Sequence, residues 1–347
     1  MNDYSASGSR LKLGFISLVD CAPLVIAKEC GFYKKFDIDV ELSREVGWNT
    51  LLEKVISGRL DASHALASMP LTASLGLGGS AEPCATSLVL NLQGNSLVIS
   101  KALYQAGVRT NIDLKQYILS AKKVLTFGVV YQYSSHHYLL REWFKQAGIN
   151  PDRDVRIVVL PPVQMSVFLK SGNLDGYCVG EPWGTDAIFA GLGYCVKVGP
   201  ELAKGHPEKV LIFRNAFLNS NHNQIVRLTA ALLEACVFCD KQENRLEVVN
   251  ILSRPEYLSI SREHLANSLI GPFSRGMKEQ GPEGIHIFNR FDANAPTFEK
   301  SEWISKSLLA LHPGLSFKRE MVHECYRLDI FEEASRLALT DMAVASA

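Results

Sequence analysis

One six-residue pattern occurs twice in this chain and constrains its architecture more than any other feature. Ser57-Gly-Arg-Leu-Asp-Ala62 and Ser171-Gly-Asn-Leu-Asp-Gly176 share the form S-G-x-L-D-[A/G], 171 − 57 = 114 positions apart. Each copy closes a stretch of helical spacing at its glycine and opens an apolar run after its aspartate. A solenoid would repeat such a unit many times at a period of about 20–50 residues. A single pair at wide separation predicts two similar α/β lobes.

The flanking residues support that reading. Residues 12–18 have strand composition, 22–30 have helical spacing with Gly31 as the stop, and 38–42 read as a second strand. Residues 49–57 place Leu52, Val55 and Ile56 on one helical face before Gly58, and 62–66 form a short apolar strand. The device recurs further on: strand at 126–130, helix at 135–147 stopped at Gly148, strand at 155–160 and helix at 162–170. Strands alternating with helices predict parallel sheets. After a strand at 209–213 the pattern turns almost wholly helical, at 224–240, 246–252 and 303–311, with peripheral helix expected from Pro313 onward. Strand-like segments at 97–100 and 211–213 mark the changes of character and read as crossovers. The expected division is therefore a discontinuous first lobe, residues 10–97 and 214–347, and an inserted second lobe, residues 98–213. A hinged cleft follows, because open α/β sheets take ligands beyond the carboxyl ends of their strands.

Composition removes several function classes. The 347 residues carry 36 Lys plus Arg against 36 Asp plus Glu, so nothing resembles the basic footprint of a nucleic-acid binder. No stretch approaches the roughly 18 apolar residues of a membrane span. Residues 1–10 lack a basic segment followed by an apolar one, so no secretory leader is expected and a cytoplasmic location is. The eight cysteines are dispersed in apolar surroundings and are expected as reduced, buried thiols. Cys236 and Cys239 share a helical face, but no second Cys or His pair completes a tetrahedral metal set.

Catalytic signatures are missing as well: no G-x-S-x-G, G-x-x-x-x-G-K-[S/T], H-E-x-x-H or G-x-G-x-x-G opens a helix. What recurs is donors at helix beginnings, Trp48-Asn49-Thr50 and Ser134-Ser135-His136-His137. The first backbone N–H groups of a helix have no partner within it, so such ends attract anions. One residue further along a helix turns a side chain by about 100°, so His136 and His137 cannot both face one ligand.

At Gly47-Trp-Asn-Thr-Leu51, Ser134 to Trp143, Gly148-Ile-Asn-Pro-Asp152, Pro161-Pro-Val-Gln-Met165, Asp175-Gly-Tyr-Cys-Val-Gly-Glu-Pro-Trp183 and His206-Pro-Glu-Lys209, the sequence resembles the nitrate- and bicarbonate-binding proteins of ABC transporters. The resemblance runs from about residue 11 to residue 273. It implies an α/β fold of the two-lobed type II periplasmic-binding-protein kind. The exported members carry a leader that residues 1–10 do not resemble. The chain is more similar to the cytoplasmic branch, nitrate/nitrite sensors that hold an RNA-binding ANTAR-domain antiterminator inactive until the anion arrives.

The resemblance also implies a ligand set: Trp48, an amide from the Gln93-Gly94-Asn95 stretch, His136, Gly180 and Lys209. Either Gln93 or Asn95 could supply the amide. The bicarbonate branch is expected to have an acidic residue at the lysine position, working with calcium, so Lys209 implies a monovalent anion with no metal and no cofactor. Glu181 and Trp183 read as structural supports for the loop presenting Gly180. Expected from these readings is a non-enzymatic switch in which the second lobe contributes His136 and Lys209 and the first contributes Trp48 and an amide. Its ligand is nitrate or nitrite, its partner an ANTAR-domain antiterminator, with no direct nucleic-acid contact and no membrane contact. A site offering only hydrogen-bond donors would suit nitrate, which accepts and never donates. The alternative is the solute-binding component of a nitrate or bicarbonate ABC transporter. A third reading, a pyridoxal-phosphate enzyme of thiamine biosynthesis on the same fold, lacks its cysteine-rich motif here.

Overall fold

The computed structural model describes residues 10–345, and residues 1–9, on which the expectation about a leader rests, lie outside it. Among the described residues thirteen strands form, in chain order β1 (Leu11–Ile16), β2 (Val40–Glu45), β3 (Ala62–Leu66), β4 (Cys84–Gln93), β5 (Asn95–Ser100), β6 (Leu125–Val129), β7 (Val155–Val159), β8 (Gly176–Gly180), β9 (Gly193–Val198), β10 (Pro207–Arg214), β11 (Pro272–Gly276), β12 (Glu279–Glu283) and β13 (His286–Ile287). They make a six-stranded sheet of order β13-β4-β10-β3-β1-β2, a five-stranded sheet of order β7-β6-β8-β5-β9, and the hairpin β11-β12.

The repeated hexapeptide has the same structural meaning in both sheets. Gly58 and Gly172 take left-handed conformations, φ 72° and 73°, that end the helices Trp48–Ile56 and Met165–Lys170. The aspartates then tie the next strand to its parallel neighbour: Asp61 accepts the Lys12 N–H at 2.8 Å, and Asp175 accepts the Thr126 N–H at 2.8 Å. Burial of β3 and β8 on every residue follows from helices covering both faces.

Three expectations need correction. The sheets are mixed: β1 pairs in parallel with β2 and β3, and β6 with β7 and β8, but β4, β5, β9, β10 and β13 pair antiparallel. The strands that carry the chain between lobes must run against the βαβ units, and this reversal is not written in apolar periodicity. The crossovers also lie elsewhere than 97–100 and 211–213. One is Gly94, φ 95°, between β4 and β5; the other is the stretch after β9, before β10. All of β10 pairs with β3 and β4, so Lys209 stands on the first sheet and not in the inserted lobe. Finally, residues 214–345, expected to be almost wholly helical, also carry the strands β11, β12 and β13.

The hairpin β11-β12 reaches across to the second sheet. Arg275 donates to the carbonyls of Cys195 and Val196 and pairs with Glu201 at 2.7 Å, while the Tyr194 hydroxyl donates to Glu279. The helix Phe298–Leu311 also bridges, with Trp303 against Tyr138 of the second lobe and stacked on His206. Elsewhere this part of the chain covers the first sheet, where the helix His222–Asp240 buries an apolar face including Leu228, Ala231 and Leu232. No helix among the described residues is long and apolar enough to cross a membrane.

The lobes are shut against each other. One apolar core holds Leu18 and Trp48 from the first with Val179 and Trp183 from the second. Across the cleft the Val19 N–H donates to the Glu181 carbonyl at 2.8 Å, Trp183 Nε1 to the Ser17 carbonyl at 2.9 Å, and Ser68 Oγ to the Tyr133 carbonyl at 2.6 Å.

Candidate functional site

The carboxyl ends of β1, β3, β6 and β8 converge where the lobes meet, as expected for ligand sites in such sheets. After β1 the chain turns at once into a short 3-10 segment, Val19–Cys21, which puts Asp20 at that end, fully buried. The helix Trp48–Ile56 begins on an extended Gly47, and the helix Ser135–Gln146 begins on Ser134, whose hydroxyl accepts the His137 N–H at 3.2 Å. These starts bring Trp48 and His136 to the same interior.

Lys209 is the hub of what they meet. Its ammonium lies 2.7 Å from Asp20 Oδ2, 2.7 Å from Glu208 Oε1, and 5.7 Å from the centroid of the Trp48 ring. Asp20 is held from its other side by His64 Nε2 at 2.8 Å, and the His64 ring packs on Trp48. Glu208 accepts from Asn95 Nδ2 at 2.8 Å and from Ser135 Oγ at 2.5 Å, with His206 Nε2 at 3.3 Å and His136 Nε2 at 3.5 Å. Gly180 closes the ring. A Cβ built there would stand 3.4 Å from Leu18, 3.6 Å from Asp20 Oδ2 and 3.7 Å from His136 Nε2.

Neighbouring residues of a strand ordinarily point to opposite faces. Glu208 and Lys209 escape that rule because the pairing of β10 with β4 shifts register between Pro207 and Lys209 and again between Lys209 and Val210. A bulge of this kind re-aims side chains. Both charged ends therefore enter one cluster.

Burial disfavours every charge here, and the partners decide which survive. At Asp20 burial is outweighed by Lys209 and His64, which hold the carboxyl at about 2. Glu208 is likewise held well below the carboxylate range, burial being outweighed by Lys209, His136 and His206. Lys209 loses some proton affinity to burial but gains more from the two carboxylates. Burial wins at His136 and pushes it down to about 4, against the pull of Glu208; it also lowers His64. With the His136 and His64 rings neutral, the two carboxylates face the one ammonium of Lys209.

Several polar groups in this interior remain unused. Among the described residues Trp48 Nε1, Asn95 Oδ1 and both ring nitrogens of His136 are buried without a hydrogen-bond partner. An unpaired buried polar group costs about 1–3 kcal/mol, a cost that a polar ligand placed against these groups would relieve.

The structure thus brings together Trp48, Asn95, His136, Gly180 and Lys209. Gln93 is set apart: its side-chain amide oxygen Oε1 accepts the Gly205 N–H at 3.3 Å and its backbone N–H donates to the His206 carbonyl, which fastens the two crossovers to each other. His137 turns away and bonds the Gln132 carbonyl. Glu181 is buried, accepting from Thr185 at the start of the helix Trp183–Phe189. The interior is not the donors-only site expected from sequence, because Asp20 and Glu208 stand in it. Sequence reasoning missed these two, together with His64 and His206. An acidic residue directly after the first strand was a signal for Asp20; nothing in strand alternation signalled Glu208. A groove of about 720 Å³ opens nearby between the helix Trp48–Ile56 and residues 131–133, the elements that precede or carry Trp48 and His136. Among the described residues no set of three His, Cys, Asp or Glu side chains is arranged to hold a metal ion.

Comparison with known proteins gives the following. Residues 5–253 match the NMT1-like family. The chain is 37% identical over 94% of its length to the nitrate import ATP-binding protein NrtC of Synechocystis, covering 50% of that protein. It is 36% identical over 94% of its length to the bicarbonate transport ATP-binding protein CmpC of Synechococcus elongatus, covering 49% of that protein. The chain thus spans about half the length of the curated relatives it matches. The crystal structure of the periplasmic nitrate-binding protein NrtA from Synechocystis superposes with a TM-score of 0.90 at 27% identity, covering 95% of this chain and 89% of that one. The two-lobed periplasmic-binding-protein fold is shown by that superposition.

Proposed function

The chain belongs to the NMT1-like family, and from that premise we propose that it is a binding protein for a small monovalent oxyanion, nitrate or nitrite, held between its lobes. The observation that carries this is the pair Trp48 and His136, whose ring N–H groups are aimed into a sealed, polar interior beside Lys209 and find no acceptor among the described residues. Three flat, rigid or fixed donors from different directions suit a planar anion with three acceptor oxygens. The names of NrtC and of NrtA favour the same ligand, while that of CmpC names bicarbonate. Calorimetric titration of the purified protein with sodium nitrate and sodium nitrite tests the proposal. Saturable heat that His136→Ala abolishes is the expected result; no heat from either salt would overturn it.

The use of the captured anion has two readings. In the first, the protein is the solute-binding part of an anion import system, as the named roles of NrtC and CmpC favour. In the second it is a cytoplasmic sensor that holds an ANTAR-domain antiterminator and releases it when the anion binds. Eight free cysteine thiols, seven of them buried, favour the second, since such usage is ordinary in a reducing compartment. Co-purification with an ANTAR-domain protein, with and without nitrate, separates them. Association that nitrate dissolves supports the sensor; no association in either condition leaves the transport reading.

A further inference from the structure

The charge count in the sealed interior sets a condition on any anion that enters it, and the inference that follows rests on the anion-binding reading above. Asp20 and Glu208 bring two negative charges and Lys209 one positive charge, all fully buried. A monovalent anion would add a second uncompensated negative charge to a region that water does not reach, and burying an unpaired charge is strongly unfavourable. One cation is needed.

His136 is the group placed to supply it. Its ring faces Glu208 and Lys209 from β10, Asp20 from the turn after β1, and His206 from the second crossover. The strand β8 presents Gly180 and the Cys178 thiol, which burial keeps protonated. The helix Phe298–Leu311 lays Trp303 against Tyr138 on the same helix as His136. Neither ring nitrogen of His136 makes a hydrogen bond among the described residues, so an imidazolium there has both N–H groups to give, one toward Glu208 and one toward an anion. His64 cannot take this part, because its Nε2 is committed to Asp20, and neither can His206, whose Nδ1 meets the Ala203 carbonyl at 2.6 Å and whose Nε2 faces Glu208 at 3.3 Å, leaving no N–H for an anion.

We propose that the anion is captured together with one proton, which His136 holds between the anion and Glu208, and that Glu208 is the specificity residue that makes the proton necessary. The proton comes from the buffer, and the buffer acid becomes its conjugate base. Without the anion the ring is neutral, burial having pushed it down to about 4. A negative charge at hydrogen-bond distance raises the proton affinity of an imidazole, so the anion and the proton each favour the other's binding.

Titration calorimetry with sodium nitrate in two buffers of different ionisation enthalpy, PIPES and Tris, reads the proton directly. Wild-type protein is expected to take up close to one proton per nitrate, and its Kd to weaken roughly tenfold per pH unit between about pH 6.5 and about pH 8.5. Glu208→Gln removes the negative charge, and its binding should become independent of buffer and pH; Asp20→Asn, made alongside, removes the other negative charge and should do the same if Glu208→Gln fails to fold. Nitrate heat that is the same in both buffers, with a flat pH dependence in wild type, would overturn the proton and leave the anion reading standing. No nitrate heat at any pH would overturn both.

Discussion

Glu208 and Lys209 follow one another in β10, yet their charged ends meet 2.7 Å apart inside the protein, with Asp20 at the same distance on the far side of the ammonium. A bulged strand, an acidic turn and two helix starts thus share one buried centre, and each can be tested separately.

Lys209→Met leaves Asp20 and Glu208 facing each other without a cation. Breaking a buried ion pair by removing one partner costs about 3–5 kcal/mol. Thermal unfolding at neutral pH should show a drop in Tm that sodium nitrate does not restore. An unchanged Tm would mean the ammonium is not the hub of the cluster.

Without ligand, stability should begin to fall in mild acid. His136 is depressed from its usual 6.5 to about 4, so the folded state binds its proton less readily than the unfolded chain. The stabilisation from the neutral ring is complete above about pH 6.5 and is lost as pH falls toward 4, a change of roughly 3 kcal/mol at full burial. Asp20, held at about 2, adds a further loss only below about pH 4. Denaturant melts at closely spaced pH values check the order, and His136→Gln should shrink the first step, to which His64 and His286, also lowered by burial, contribute, and keep the second.

Trp48→Phe deletes an N–H that has no protein partner among the described residues while keeping an aromatic ring against His64. Folding stability should hold within error. Nitrate affinity should fall about tenfold, the worth of one hydrogen bond to a charged group, roughly 1.5 kcal/mol. Equal affinity in calorimetry would remove Trp48 from the ligand set.

Two glycines should respond in opposite ways. A Cβ on Gly180 meets its neighbours at 3.4–3.7 Å, ordinary contact distances, so Gly180→Ala should fold normally but bind nitrate more weakly, since the methyl enters the space between Asp20 and His136. At Gly94, φ 95°, a Cβ would stand 2.4 Å from the His286 ring, so Gly94→Ala should lower Tm by forcing the first crossover. Melting curves and titrations of the two variants should separate binding from folding.

Much of this molecule was legible before its structure. The strand-helix units were marked by apolar spacing and by left-handed glycine stops, and the paired hexapeptides proved to do one job twice, through Asp61 and Asp175. Ser134 and His136 were legible because a helix start has a chemical signature. The hairpin β11-β12 was not: its turn is made by Met277 and Lys278 at φ 51° and 65°, where a glycine or asparagine would have announced it. Nor could periodicity show that Glu208 turns inward, because a bulge reverses the very alternation on which such reading depends. Asp20 lies in the turn after β1 and His64 in the middle of β3, and only the folded sheet brings them within 2.8 Å.

Trp48 and His136 stand, on the reading proposed above, as the unfilled half of an anion's hydrogen-bond set. A crystal structure of the protein grown with sodium nitrate tests it most directly. The expected result is a planar anion in the sealed interior, with its oxygens at hydrogen-bond distance from Trp48 Nε1 and a ring nitrogen of His136. Nitrate bound elsewhere in such a crystal, with those two side chains still lacking an acceptor, would contradict it.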